Sequence, residues 1–175
     1  MRERKLFALI MLLAISSLSL IQIGPVAASP SEISVVPPST TGLVPESTFM
    51  IKINISDVYD MYAWEIKLSF NNLLMNLVSV AEGPFLKTGG STYFTPIDIN
   101  AANTFGWFKM GSTLIGEIPG VEGSGIVAEV TFKVIEVYSG TLDLSEGKWV
   151  DSYLNTNSFD TINDGSFDNT GLVGT

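Results

Sequence analysis

The sequence predicts an all-β protein, a jelly-roll β-sandwich of about nine strands. Three observations carry this. Apolar residues recur with period two rather than the helical 3.6, turn-forming clusters interrupt the runs at a spacing of roughly 8–12 residues, and no sustained helical periodicity is present.

In chain order, a first strand is expected at 33–36, closed by Pro37-Pro38. Phe49, Ile51, Ile53 and Ile55 alternate with Met50, Lys52 and Asn54 in the second. Asp57 to Asp60 read as turn formers, after which Tyr62, Trp64, Ile66, Leu68 and Phe70 alternate with Ala63, Glu65, Lys67 and Ser69. Asn71-Asn72, Glu82-Gly83-Pro84 and Gly89-Gly90 bound strands at 74–81 and 92–99, and Asn100 to Asn103 read as a turn before a strand at 105–111. The glycine-rich stretch 120–125 leads into a strand at 126–135, where Ala128, Val130, Phe132 and Val134 alternate with Glu129, Thr131 and Lys133. Strands at 141–144 and 164–167 complete the set, next to Ser139-Gly140 and Asn163-Asp164-Gly165.

Residues 1–28 stand apart from the fold as an expected signal peptide. Arg2, Arg4 and Lys5 make a basic start, Leu6 to Leu13 and Ile15 to Ile23 an apolar core, and Val26-Ala27-Ala28 a small-residue cleavage site. An exported, extracellular protein is expected, with 29–175 forming a single domain and no membrane span in the mature chain. That domain holds six Lys, no Arg and seventeen Asp plus Glu, a formal charge of −11, so no basic stripe exists to neutralise phosphates and nucleic-acid binding is excluded. Cys is absent, so stability must come from a packed core of Val, Ile, Phe and Leu.

Catalysis has little to work with. His and Cys are absent, which removes the usual general base, the thiol nucleophile and most transition-metal sites. Gly123-Ser124-Gly125 lacks the nucleophile elbow, and neither Asp151-Ser152 nor Asp160-Thr161 continues into the glycine of an aspartic-protease motif. The acidic residues scatter over turns and exposed strand faces, so no catalytic residue is assigned. Asn155, Asn157, Asp160, Asn163, Asp164 and Asp168 are dense in oxygen, yet neither the glycine nor the terminal glutamate of an EF-hand loop falls in register. No metal or cofactor is assigned.

The segments Ala63-Trp64-Glu65-Ile66-Lys67-Leu68-Ser69-Phe70-Asn71 and Leu77-Val78-Ser79-Val80-Ala81-Glu82-Gly83-Pro84-Phe85-Leu86 resemble the third and fourth strands of cohesin domains. Gly120 to Val134 is similar to that family's glycine-rich turn and eighth strand, and Val150-Asp151-Ser152 with Asp164-Gly165-Ser166-Phe167 to its closing hairpin. The resemblance spans about residues 32–168. It implies a non-catalytic module that docks a dockerin-like or other surface protein on one flat sheet, in extracellular polysaccharide degradation. It also places the recognition sheet on strands 62–70, 105–111 and 126–135. Alternation then selects Ala63, Glu65 and Lys67 on the first, Trp107 and Lys109 on the second, and Glu129 and Thr131 on the third as partner-binding residues. Two other readings share the architecture. A direct carbohydrate-binding module would use exposed aromatics, for which Trp107 is the best candidate, because Trp64 and Tyr62 fall on the core phase. A structural surface-layer component would use an exposed sheet edge.

Overall fold

The computed structural model describes residues 29–170; the expected leader, 1–28, lies outside them. The elements are β1 (Glu32–Val36), β2 (Ser39–Thr41), β3 (Thr48–Ser69), β4 (Met75–Glu82), β5 (Thr92–Phe94), α1 (Ile99–Phe105), β6 (Trp107–Leu114), β7 (Val121–Val134), β8 (Ser139–Asp151), β9 (Thr156–Ser158), β10 (Thr161–Asn163) and β11 (Gly165–Asp168). The sheet-rich fold is the expected jelly-roll sandwich. It carries eleven strand segments among the described residues rather than nine.

Three short strands, β2, β9 and β10, were not expected, and one merger works against them in the count. The two runs expected as strands 49–55 and 62–70 are one strand, β3, which leaves one sheet and enters the other. Its first half lies between β1 and β7, with Ile53 opposite Val35 and Ala128. Its second half lies between β6 and β8, with Glu65 opposite Gly111 and Lys148. Asp57 to Asp60 are therefore a corner within the strand, not a turn between two strands. Asp57 and Asp60 both have φ near 55° there, and the pairing with β7 shifts register on either side of Val58. Strands that pass between packed sheets bend through such bulges.

One sheet thus runs β10–β1–β3–β7–β4, and the other β5–β6–β3–β8, with β9 and β11 along the far edge of β8 and β2 beside β11. Between them lies the core. Phe49, Ile51, Ile53 and Ile55 come from the first half of β3, Trp64, Ile66 and Leu68 from the second. Phe132 stacks on Phe49 with ring centroids 5.6 Å apart and meets Phe70 at 5.1 Å, joining β7 to the first half of β3 and to the residue that follows its end. Each such side chain contributes about 2–3 kcal/mol by leaving water.

The expected strand 92–99 is cut to three residues, and the expected turn at Asn100 to Asn103 is the body of α1. Asp98 caps the helix by accepting from the Ala101 N–H, and Gly106, at φ 72°, closes it by donating to the Ala102 carbonyl. A side chain at Gly106 would also meet the Phe70 carbonyl oxygen at 2.8 Å, so glycine is required there twice over. The helix is short, and its Asn103 side chain both accepts from the Leu77 N–H and donates to the Leu77 carbonyl, covering part of the outer edge of β4.

Candidate functional site

The outer face of the β5–β6–β3–β8 sheet is built by alternation. Residues 63, 65, 67 and 69 of β3 point away from the core, and register places Thr113, Gly111, Lys109 and Trp107 of β6 beside them. On the other side of β3 stand Val150, Lys148, Ser145 and Asp143 of β8. A bulge between Lys148 and Ser145 makes this last series irregular, and Glu146 sits in it with φ 56°.

Five charges and one aromatic ring form a continuous chain across this face. Lys148 Nζ lies 3.2 Å from Glu65 Oε1, which lies 3.5 Å from Lys109 Nζ. Lys109 Nζ is 2.7 Å from one Glu146 oxygen, and Lys67 Nζ is 3.5 Å from the other. Lys67 finally rests over the Trp107 ring, 4.8 Å from its centroid. Lys67 and Lys109 are directly opposed across the strands, a repulsive arrangement that the carboxylate of Glu146 bridges. The hydrogen bond to Glu146 holds the Lys109 ammonium above its ordinary range, and the same bond holds Glu146 below the usual carboxylate range.

Three of the six Lys of residues 29–175 stand here against Glu65, Glu146 and Asp143, so the face is balanced in charge on an otherwise acidic molecule. Beside it lies a shallow depression of about 250 Å³, walled by Ala63, Tyr93, Thr113 and Val150 and floored by Gly111. A Cβ at Gly111 would meet the Trp64 carbonyl oxygen at 2.5 Å, so this position admits only glycine and the floor stays low.

Of the residues expected to bind a partner, Ala63, Glu65, Lys67, Trp107 and Lys109 share this face. Glu129 and Thr131 do not. They belong to β7, which pairs with the first half of β3 and with β4, so they lie on the outer face of the opposite sheet. There Glu129 pairs with Lys52 at 3.3 Å, and Thr131 stands between Met50 and Ser79. The expectation took 120–134 for the family's eighth strand, whereas the strand beside the second half of β3, across from β6, is β8, Ser139–Asp151.

Glu146, Lys148 and Val150 were not anticipated on this face, and strand 92–99, which carries Tyr93, was expected to border it but showed no phase from which to choose a residue. β8 runs on to Asp151, beyond the expected 141–144, and the bulge at Glu146 shifts the alternation by one residue midway. The signal that was available is Gly147, whose Cβ would press on Ile66 Cδ1 at 2.8 Å: a glycine inside an apolar–polar run marks a bulge. Tyr62, placed in the core by phase, is half-buried, with its hydroxyl donating to the Gly116 carbonyl, because register shifts between Met61 and Ala63. Trp107 is 42% exposed and Tyr93 57%, but they sit at opposite ends of the β6 edge and make no planar aromatic row.

The acidic stretch near the C-terminal strands serves the fold. Asp160 accepts from the N–H and hydroxyl of Ser31, Asp164 from the Leu144 N–H, and Asp168 from the N–H and hydroxyl of Thr170. Among the described residues no helix is long and apolar enough to cross a membrane.

A family model described as Cohesin domain matches residues 33–172. No curated protein matches the sequence. Among solved structures, a non-cellulosomal cohesin from the hyperthermophilic archaeon Archaeoglobus fulgidus is similar with TM-score 0.58 at 18% identity, over 79% of this chain and 90% of that one. The cohesin CaCohA2 of Clostridium acetobutylicum is similar with TM-score 0.62 at 16% identity, over 82% of this chain and 93% of that one. A type I cohesin–dockerin complex from Clostridium thermocellum contains a chain similar with TM-score 0.63 at 9% identity, over 79% and 92%.

Proposed function

This chain belongs to the cohesin domain family, and from that premise we propose that it is an exported, non-catalytic adaptor that docks a dockerin-like protein on the outer face of its β5–β6–β3–β8 sheet. The observation that carries the reading is the continuous chain Lys148–Glu65–Lys109–Glu146–Lys67–Trp107. Charges tied to one another in a fixed order are pre-positioned for a partner and lose little side-chain freedom when it arrives. Trp107 supplies the large amphipathic contact on which interface energy concentrates. The face is balanced in charge on a domain of formal charge −11, so an acidic partner surface meets less repulsion here than on the rest of the molecule. The solved relative in complex with a dockerin supports the partner class. A role beside enzymes that degrade polysaccharides outside the cell follows from the same reading.

The experiment has two stages. The protein captures its partner from native culture supernatant, and the partner is then titrated against variants. Trp107→Ala and Glu65→Ala each weaken binding at least about tenfold with the melting temperature nearly unchanged, whereas Glu129→Ala leaves affinity unchanged. Wild-type affinity in both sheet-face variants would remove the site from this face. Export is checked separately: N-terminal sequencing of protein recovered from the medium should read Ser29-Pro30-Ser31, and recovery only in membranes with Met1 or Arg2 intact contradicts it.

A further inference from the structure

Beyond the sheet, one end of the sandwich exposes three large apolar or aromatic side chains together. Tyr153 is 83% exposed, Leu154 76% and Tyr59 73%. They border two adjoining troughs, of about 480 Å³ and 310 Å³, that share Pro119, Ser152 and Tyr153. Tyr62, Ile118 and Glu117 line the larger, Tyr59, Asp60 and Glu122 the smaller.

The loops that carry these side chains are fixed rather than loose. Asp60, at the corner of β3, accepts from the Gly120 N–H at 2.7 Å, the Ser152 hydroxyl at 2.6 Å and the Ser152 N–H at 3.3 Å, tying three segments to one carboxylate. Asp151 accepts from the Tyr153 and Asn155 N–H groups at 2.9 and 2.8 Å and from the Asn155 amide at 2.8 Å. Tyr153 thus projects from a pinned backbone, next to Leu154 held at φ 67°. Leucine rarely adopts that conformation, and strain of this kind concentrates where a surface binds something.

We propose that this end of the sandwich is a binding site for a neutral polysaccharide chain, with Tyr153 as the stacking residue between two sugar subsites. A pyranose presents C–H groups on its flat face and hydroxyls around its rim. Tyrosine meets the first with its ring and the second with its hydroxyl. Glu117 and Glu122 supply acceptors on either side of Tyr153, one in each trough. Among the described residues neither trough is lined by Lys or Arg, so an anionic polymer finds no counter-charge. Both troughs are open along their length, as a groove for an extended chain must be, and together they offer two adjoining places on either side of one aromatic ring. The troughs lie far from the Trp107 end of the docking face: Tyr62 and Ser69 mark the two ends of the second half of β3, about 23 Å apart at strand rise, and Trp107 lies beside Ser69, while Ala63 and Val150 are where the two sites come nearest.

The test is affinity electrophoresis of the purified protein in gels containing hydroxyethyl cellulose, xyloglucan or galactomannan, with polygalacturonate as the anionic control. At least one neutral polymer should retard the protein and polygalacturonate should not. Tyr153→Ala should raise the apparent dissociation constant about tenfold or more, while Tyr153→Phe keeps most of the retardation because the ring remains. Trp107→Ala should leave retardation intact, and Tyr153→Ala should leave partner docking intact, so the two sites fail separately. Migration unaltered by all three neutral polymers, or retardation that Tyr153→Ala does not change, overturns the proposal. Binding of an oligolysine peptide that depends on Tyr153, with no glycan retention, overturns it in favour of a basic protein ligand.

Discussion

The two halves of β3 have the same pattern and different neighbours. In both, alternate residues enter the core, Ile51, Ile53 and Ile55 in one and Trp64, Ile66 and Leu68 in the other. Outside, the first half carries a local ion pair, Lys52 with Glu129, and an exposed Met50. The second carries Glu65 and Lys67 inside a chain of five charges that crosses three strands. Alternation fixes which residues face out, but the strands on either side decide whether those residues become a surface with long-range order. The same strand therefore supplies core residues from both halves but an ordered charged surface from only one.

The largest effect should show no asymmetry at all. Ile53→Ala and Ile66→Ala each remove a fully buried side chain and should each destabilise by about 2–5 kcal/mol, read from urea midpoints with the slope unchanged. Partner affinity, measured below the unfolding transition, should survive both. A cost confined to one half would mean that the two sheets do not share one cooperative core.

The corner between the halves comes next. Asp60→Ala leaves the Gly120 N–H without its acceptor and puts alanine at φ 55°, so a loss of about 1–3 kcal/mol is expected, with Asp60→Asn losing less because asparagine tolerates that conformation. The bond from the Ser152 hydroxyl chiefly lowers the Asp60 pKa. A carboxylate with a depressed folded-state pKa contributes stability that is present above its unfolded value of about 3.9 and lost as pH falls through the folded one. Asp151, Asp160 and Asp168 are depressed as well, first by Asn155, Ser31 and Thr170. Wild type should therefore lose stability steeply below about pH 4. The gap between wild type and Asp60→Asn should narrow there, which denaturation at neutral pH and at low pH would show. An unchanged gap at low pH would deny Asp60 its charged role.

Much of this architecture was readable in the residues, and the failures have three physical origins. Phase along single strands placed Trp64, Ile66, Leu68 and Phe132 in the core and Glu65, Lys67, Trp107 and Lys109 outside, because side-chain direction needs nothing beyond the alternating pleat. Which strand lies beside which is a tertiary property, so Glu129 and Thr131 were assigned to the wrong sheet. Bulges defeat phase altogether. The shift at Glu146 concealed Lys148 and Val150, and the register change after Met61 moved Tyr62 from the core phase to a half-buried place beside Gly116. The helix at Ile99–Phe105 was hidden by its asparagines, although Asp98 and Gly106 are an N-cap and a C-terminal stop at the right spacing.

The smallest expected effect distinguishes the outer faces most finely. Glu146→Gln removes the carboxylate that bridges Lys67 and Lys109, whereas Glu129→Gln removes the partner of Lys52 alone. All of these side chains are partly solvated, so at 150 mM salt, where the screening length is about 8 Å, neither substitution should move the melting temperature measurably. At 10 mM salt the screening length grows to about 30 Å, and the two lysines left facing each other repel almost unscreened, so Glu146→Gln should melt below Glu129→Gln. The sign with pH follows from the same bond. Glu146 is depressed by the hydrogen bond from Lys109, so its share is present above the unfolded value of about 4.3 and lost as pH falls through the folded one. The low-salt difference between the variants should therefore shrink on acidification. Equal melting of the two at 10 mM salt and neutral pH would show that the five charges act as separate pairs, and the sheet face would lose the order that sets it apart from its counterpart.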